Sequence, residues 1–402
     1  MTQKAKFFII IFCCLYGCKK PSKLMRIEEN IIGNEEFVIS VSPNELDLAP
    51  FDLTPFIDSI KYVKLELTDE SLIGSIDKIV IFEELIYILD IQTKSLFVFN
   101  MDGKFSHKIS KIGQGPGEYI QLDFFDIDRE NKHIVLTDLM SYWVMRYDMN
   151  GEFLFRRKIP VWCEGLSILP NKGIVLYSNF RNNTDNLLQE YNLIYLDSNM
   201  NFKRGYFPYN SKEFNQRIRV AASMGGQFFA YEENLYFTFP GGSTVYQVEE
   251  DSLIIKYKFD FGKDMREIEN QIKSDKLAEQ LDKRYNGFWS YVMENDKLLF
   301  FTMVSVPVPL LNALYYSKES GKQLFSIFYF VEDKIQIDFP QTGYKSWIIY
   351  DIQPFEIIKW KERFPKDNIP SAGRYTKARL DLAEELTDED NPVLMFLKFK
   401  DF

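Results

Sequence analysis

Two aspartates and one glycine-rich loop carry most of the chemistry that this 402-residue chain can offer. Asp90 and Asp138 each close a short apolar run, Ile86-Tyr87-Ile88-Leu89-Asp90 and Ile134-Val135-Leu136-Thr137-Asp138. Carboxylates repeated in this way admit two readings. Around a central channel they would bind a cation or act as acid and base on a polysaccharide; alternatively, a side chain that caps a turn in each structural repeat recurs at one position. The loop is Gly113-x-Gly115-x-Gly117-Glu118-Tyr119. It is not a dinucleotide fingerprint, which has a different third spacing and opens a helix, and Pro116 stands inside it. It reads as a sharp connection, or as a contact loop presenting Glu118 and Tyr119 to a ligand. Asp123, Asp126 and Asp128 lack the glycine and distal glutamate of a calcium loop and read as a solvated turn.

The remaining reactive residue types narrow the field. With only His107 and His133, histidine-rich metal sites and His-dependent nucleophile triads are disfavoured, so neither a metal nor a cofactor is expected and no catalytic residue is assigned. Of the four cysteines, Cys13, Cys14 and Cys18 sit at the N-terminus, and Cys163 alone remains in the body. A disulfide is therefore not expected there, and Cys163 reads as a small buried hydrophobe. Lys and Arg number 48 against 58 Asp and Glu, a net charge of −10, which repels phosphate backbones and argues against nucleic acid as a partner.

These residues need elements to hold them. At 46% hydrophobic and 26% charged the chain can bury a large core, and its 36 Phe and 23 Tyr favour pleated surfaces. From Ile60 onward short alternating runs are separated by turn residues. Self-similarity then sets the architecture. The runs ending at Asp90 and Asp138 are followed by Leu96-Phe97-Val98-Phe99 and by Trp143-Val144-Met145-Arg146-Tyr147. Next come the hairpins Met101-Asp102-Gly103-Lys104-Phe105 and Met149-Asn150-Gly151-Glu152-Phe153. Asp90 with Asp138, Phe99 with Tyr147, Gly103 with Gly151 and Phe105 with Phe153 all fall at one offset. Weaker copies start near Ile174, Leu235 and Lys297, the first carrying a polar insertion around Asn182 and Asn183. A sixth starts near Ser346 and must be completed by strands from the termini. Several short strands in each repeat of roughly 40 to 50 residues predict an all-β, six-bladed β-propeller of four-stranded antiparallel blades. Short helical insertions are expected at 263–285 and 376–386, and a last strand at 393–399.

At the N-terminus, Lys4 and Lys6 precede an apolar run from Phe7 to Leu15, too short to span a bilayer, which ends in Leu15-Tyr16-Gly17-Cys18. This resembles a bacterial lipoprotein signal peptide with its lipobox, which implies cleavage before Cys18 and its acylation. The expected organisation is a signal peptide over 1–17, a tether over 18–55 with one short strand near Val38, and the propeller over 56–402. Taken with Leu67-Thr68-Asp69-Glu70-Ser71-Leu72-Ile73-Gly74 before the first blade, the loop from Gly113 to Tyr119 after it, the Asp-Gly and Asn-Gly hairpins and Asn391-Pro392-Val393-Leu394, the chain resembles the six-bladed β-propeller lipoproteins of Gram-negative bacteria, distant relatives of NHL-repeat propellers.

That resemblance implies an exported, lipid-anchored disc in the cell envelope, at the outer membrane. The basic Lys19-Lys20-Pro21-Ser22-Lys23 after Cys18 favours its periplasmic side. The expected function is a monomeric, non-catalytic binding or scaffold module for a protein, peptide or carbohydrate. Candidate contacts are Glu118, Tyr119, Asp90 and Asp138, with Gly113, Gly115 and Gly117 shaping the loop. The alternative is an Asp/Glu-dependent polysaccharide hydrolase or lyase on the same scaffold.

Overall fold

A computed structural model describes residues 31–33, 38–41, 51–169, 173–183, 190–211, 228–239, 242–260, 286–305, 310–326, 329–331, 335–337, 339–362 and 376–402. The signal peptide with Cys13, Cys14 and Cys18, most of the tether and the helix expected at 263–285 lie outside them.

Each blade is an antiparallel four-stranded meander whose first strand is innermost. Blade 1 comprises Lys78–Phe82, Leu85–Asp90, Ser95–Asn100 and Phe105–Ile109. Blade 2 comprises Phe124–Asp128, His133–Asp138, Trp143–Tyr147 and Phe153–Lys158. Blades 3, 4 and 5 begin at Gly165–Ile168, Phe228–Tyr231 and Asn286–Glu294. Blade 6 closes the ring: Thr342–Tyr344, Trp347–Ile352 and Val393–Phe399 come from the C-terminal end, and Ile57–Lys64 from the N-terminal end completes the sheet. The innermost strands neighbour one another all the way round, from blade 6 back to blade 1.

Period-two geometry explains why the middle strands read as unbroken apolar runs. Ile86 and Ile88 face the blade 6 side and join Ile349, Leu394 and Phe396, whereas Tyr87 and Leu89 face the other way and join Phe125, Ile134 and Leu136 of blade 2. Both sheet faces are therefore buried. The same partition recurs around the ring, giving one hydrophobic cluster at each of the six blade interfaces.

The hairpins into the outer strands are built alike in the first three blades. The side chain of Asn100, Asp148 or Asp197 accepts two backbone N–H groups from the turn that follows it, at 2.8–3.0 Å. The third residue on is Gly103, Gly151 or Met200, each with positive φ. Two short helices, α1 (Pro354–Glu362) and α2 (Thr376–Glu385), form an insertion in blade 6. Among the described residues no helix is long and apolar enough to cross a membrane.

Two readings need correction. Part of the supposed tether lies on the disc: Ile31–Ile32 and Val38–Ser40 pair in parallel with the outer strand of blade 4, and Ile39, Val41 and Leu53 are buried. Nor is the Asp123, Asp126, Asp128 cluster a solvated turn. Phe124–Asp128 is the innermost strand of blade 2, where Asp126 accepts from Ser167 and Ile168 of blade 3 and Asp128 forms a buried ion pair with Arg146. The apolar Phe125 and Ile127 between the acids carry the strand pattern, and the acids alone obscured it.

Candidate functional site

In an antiparallel meander, the turn between the second and third strands and the connection to the next blade leave from the same end of the sheet. At this end Asp90 and Asp138 sit, buried at 0% and 1% exposure. Asp90 accepts hydrogen bonds from Gly74 N (2.7 Å), Thr93 N (2.8 Å) and Ser75 Oγ (3.1 Å). Asp138 accepts from Ile120 N (2.9 Å) and Ser141 N (3.1 Å). A second aspartate just before each innermost strand returns the favour: Asp77 accepts Ile91 N at 2.8 Å and Asp123 accepts Leu139 N at 2.7 Å. The carboxylates thus tie the connection entering each blade to the turn above it. They are consumed by backbone donors and belong to separate blades; of the two readings, the geometry is that of turn caps. Burial, with Asp138 and Glu164 nearby, holds the Asp123 carboxyl above the usual range.

The 113–119 loop folds on itself. Gly113 N donates to Tyr119 O (3.0 Å), Tyr119 N to Lys111 O (3.0 Å), and Gly115 N to Glu118 Oε2 (2.8 Å). One glycine is required by geometry: Gly117 has φ +75° and its Cβ would lie 2.5 Å from the Phe153 ring, whereas a Cβ on Gly113 would meet only the end of the exposed Glu118 side chain, which can move aside. Tyr119 is no surface contact: it is fully buried, and its hydroxyl donates to Lys94 O (2.9 Å) and Ile109 O (3.1 Å). Burial pushes its pKa up to about 12. Glu118 is exposed and remains available.

Beside the loop opens a cleft of about 240 Å³. The loop contributes Gly113, Gln114, Glu118 and Ile120; blade 2 contributes Ser141, Trp143 and Arg156. The Arg156 guanidinium and the Lys158 ammonium each lie 4.2 Å from the Trp143 ring centroid, and Arg156 also donates to Gly115 O at 3.2 Å. The side chains of Gln114 and Ser141 make no hydrogen bond among the described residues. An aromatic ring, an amide, a hydroxyl and a guanidinium converge there with backbone approachable at Gly113, a set suited to a polar ligand with an apolar face. Sequence reasoning found the loop and Glu118 but not Trp143 and Arg156, which come from the third and fourth strands of blade 2, 24 or more residues beyond Tyr119.

Cys163 is fully buried, and burial raises its thiol pKa, so it sits as an inert core residue. Asn183 is buried too, exchanging hydrogen bonds with the backbone of Trp162 and donating its N–H to Glu190. Among the described residues no three His, Cys, Asp or Glu side chains are grouped to hold a metal.

Fold and loops define a six-bladed β-propeller with an elaborated face over blades 1 and 2. The chain belongs to the family described as a domain of unknown function, DUF4934, which it matches over residues 36–398. No curated protein matches it. Among solved structures it is similar to a Bacteroides fragilis protein described as exported, with 19% identity and a TM-score of 0.70, covering 90% of this chain and 99% of that one. It also matches a DUF4221-family protein of Bacteroides vulgatus, with 11% identity and a TM-score of 0.45, over 86% of this chain and 97% of the other. A virginiamycin B lyase from Staphylococcus aureus matches with 13% identity and a TM-score of 0.38, over 73% and 82% of the respective chains.

Proposed function

We propose that this protein is an exported binding module, held to the cell envelope of a Gram-negative bacterium by an acylated Cys18, whose rigid disc presents the cleft over blades 1 and 2 to a peptide, protein or carbohydrate. The cleft carries the reading. Its walls offer Gln114, Ser141, Trp143 and Arg156 with binding capacity to spare, while the neighbouring aspartates are spent on backbone N–H groups and have no free oxygen positioned for proton transfer. The disc acts as a monomer and without catalysis, on the periplasmic side of the outer membrane, in keeping with the basic residues after Cys18. Export accords with the described character of the Bacteroides fragilis neighbour.

The test is capture of peptides, oligosaccharides and envelope proteins on arrays by the wild type, Trp143→Ala and Gln114→Ala. Loss of the captured species in both variants, with melting unchanged, is expected. Capture unaffected by either change, or polysaccharide cleavage abolished by Asp138→Asn, would overturn the proposal.

A further inference from the structure

The two ends of the blades differ in surface chemistry. Ile91, Ile112, Ile120, Met140 and Tyr142 are exposed on the turns and connections at the cleft end of blades 1 and 2, Met140 at 60% and Ile112 at 58%. Among the described residues, no large apolar side chain is exposed on the turns at the opposite end of any blade. The tips are neighbours, since Lys94, in the turn after Ile91, donates to Ile120 O at 3.1 Å and Asp138 links Ile120 to the Met140 turn.

Charge follows the same division. Three lysines of the opposite end are neutralised: Lys132 by Glu83 at 2.7 Å, Lys345 by Glu84 at 3.0 Å and Lys318 by Glu294 at 2.7 Å. At the cleft end, Lys94, Arg156 and Lys158 form no salt bridge among the described residues. Of the acids nearby, Asp77, Asp90, Asp123 and Asp138 are turned inward onto backbone N–H groups, and the exposed Glu118 stands alone against the three cations. A chain of net charge −10 therefore bears one outward patch that is both cationic and apolar.

We propose that this patch docks on an anionic lipid surface, with Ile112, Ile120 and Met140 entering the interface and Lys94, Arg156 and Lys158 at the level of the phosphates. The proposal goes beyond the ligand reading above, and with it the cleft opens toward molecules carried at that surface. Lipid fits better than a polysaccharide or a folded protein for two reasons. The apolar side chains are aliphatic tips on three separate loops, which gain by entering a hydrocarbon boundary and gain little from hydroxyl-rich sugar. Many backbone donors of those loops are occupied, and outside the cleft with its Gln114 and Ser141 the surface offers apolar tips and long cations, the combination that seats proteins at a charged bilayer.

The experiment places a polarity-sensitive fluorophore at Met140→Cys in the mature protein carrying Cys18→Ser, which removes both the anchor and the N-terminal thiol, with Glu250→Cys at the opposite end as control; Cys163 is buried and does not label. Vesicles of phosphatidylcholine containing phosphatidylglycerol are compared with pure phosphatidylcholine. The proposal requires a blue shift at position 140 only, only with the anionic vesicles and suppressed by salt. Partitioning should weaken by about fivefold for each of Arg156→Gln and Lys158→Gln. A fluorophore at 140 that stays in water with anionic vesicles overturns the docking, as does protection of that site by an envelope protein or acidic polysaccharide in place of lipid; in those cases array capture through Trp143 would leave the cleft reading standing. Docking that persists while the Trp143→Ala array result is negative sinks the cleft reading and spares this one.

Discussion

Replacing Asp138 by alanine separates a structural carboxylate from a working one. In the native protein its two oxygens receive Ile120 N at 2.9 Å and Ser141 N at 3.1 Å, at a site of 1% exposure. The substitution strands both donors, and each buried N–H left without an acceptor costs about 1–3 kcal/mol. Both donors belong to residues near the surface, Ile120 exposed and Ser141 half-buried, where water recovers part of the loss, so a total of about 3 kcal/mol is expected. With a urea slope of roughly 3 kcal/mol/M for a chain of this size, the unfolding midpoint should fall by about 1 M with the slope unchanged. Asp138→Asn keeps one acceptor and should lie between. Asp90→Ala, which strands Gly74 N and Thr93 N and also loses Ser75 Oγ, should cost at least as much. Equilibrium urea titration followed by fluorescence is the assay. If Asp138→Ala unfolds at the wild-type midpoint, the carboxylate is not holding the loops, and the argument that it is unavailable for chemistry falls with it.

Other consequences can be measured alongside. Gly117→Ala should destabilise by about 2 kcal/mol or more, because the side chain meets Phe153 in a backbone conformation that alanine rarely adopts; a wild-type melting temperature would refute this. Arg146→Ala leaves Asp128 as an unpaired buried charge and should cost about 3–5 kcal/mol. Burial alone would raise the Asp128 pKa, but the Asn131 hydrogen bonds and Arg146 outweigh it and hold the carboxyl below its usual 3.8. The unfolded chain therefore takes up this proton first on acidification, so the stabilisation is complete above about 3.8 and is lost as pH falls toward the lowered value. Acid titrations of stability should show that loss in wild type and a smaller one in Arg146→Ala; parallel curves would contradict it. Cys18→Ser should release the protein from membranes, checked by fractionation and by the absence of acyl-chain label.

How much was legible in the chain follows from how each repeat treats its turns. Blades 1 and 2 announce themselves because Gly103 and Gly151 stand at the positive-φ position, and the offset relating Phe99 to Tyr147 and Phe105 to Phe153 reflects one register, in which Phe99 pairs with Phe105 and Tyr147 with Phe153. In blade 3 the same turn exists with Met200 at that position, so the backbone repeats while the signature residue does not. The innermost strands were harder to see, since Phe124–Asp128 mixes two core residues with acids that serve the next blade and its own arginine. Asp77 and Asp123 fall off the offset shared by Asp90 and Asp138 because the first hairpin turn of blade 2, 129–132, is two residues longer than that of blade 1, 83–84. Helix α1 carries no sequence signal that was read; its buried Ile357 and Trp360 pack beneath it against blade 6. At the site, Glu118 and the glycines were legible as a loop, whereas Tyr119 looked like a contact only because its neighbours do. Its place in the core depends on Ile109 and Lys94, which pairing brings beneath it.

The central claim, that this disc meets its partner through the loops over blades 1 and 2, is tested most directly by photo-crosslinking in intact cells. A benzophenone side chain at the exposed Ile112, beside the cleft but outside its lining, is compared with one at the exposed Glu250 on the opposite end. Adducts from position 112 that disappear with Trp143→Ala, and none from 250, are the predicted result. Adducts from 250 alone, or adducts from 112 indifferent to Trp143, would contradict the account.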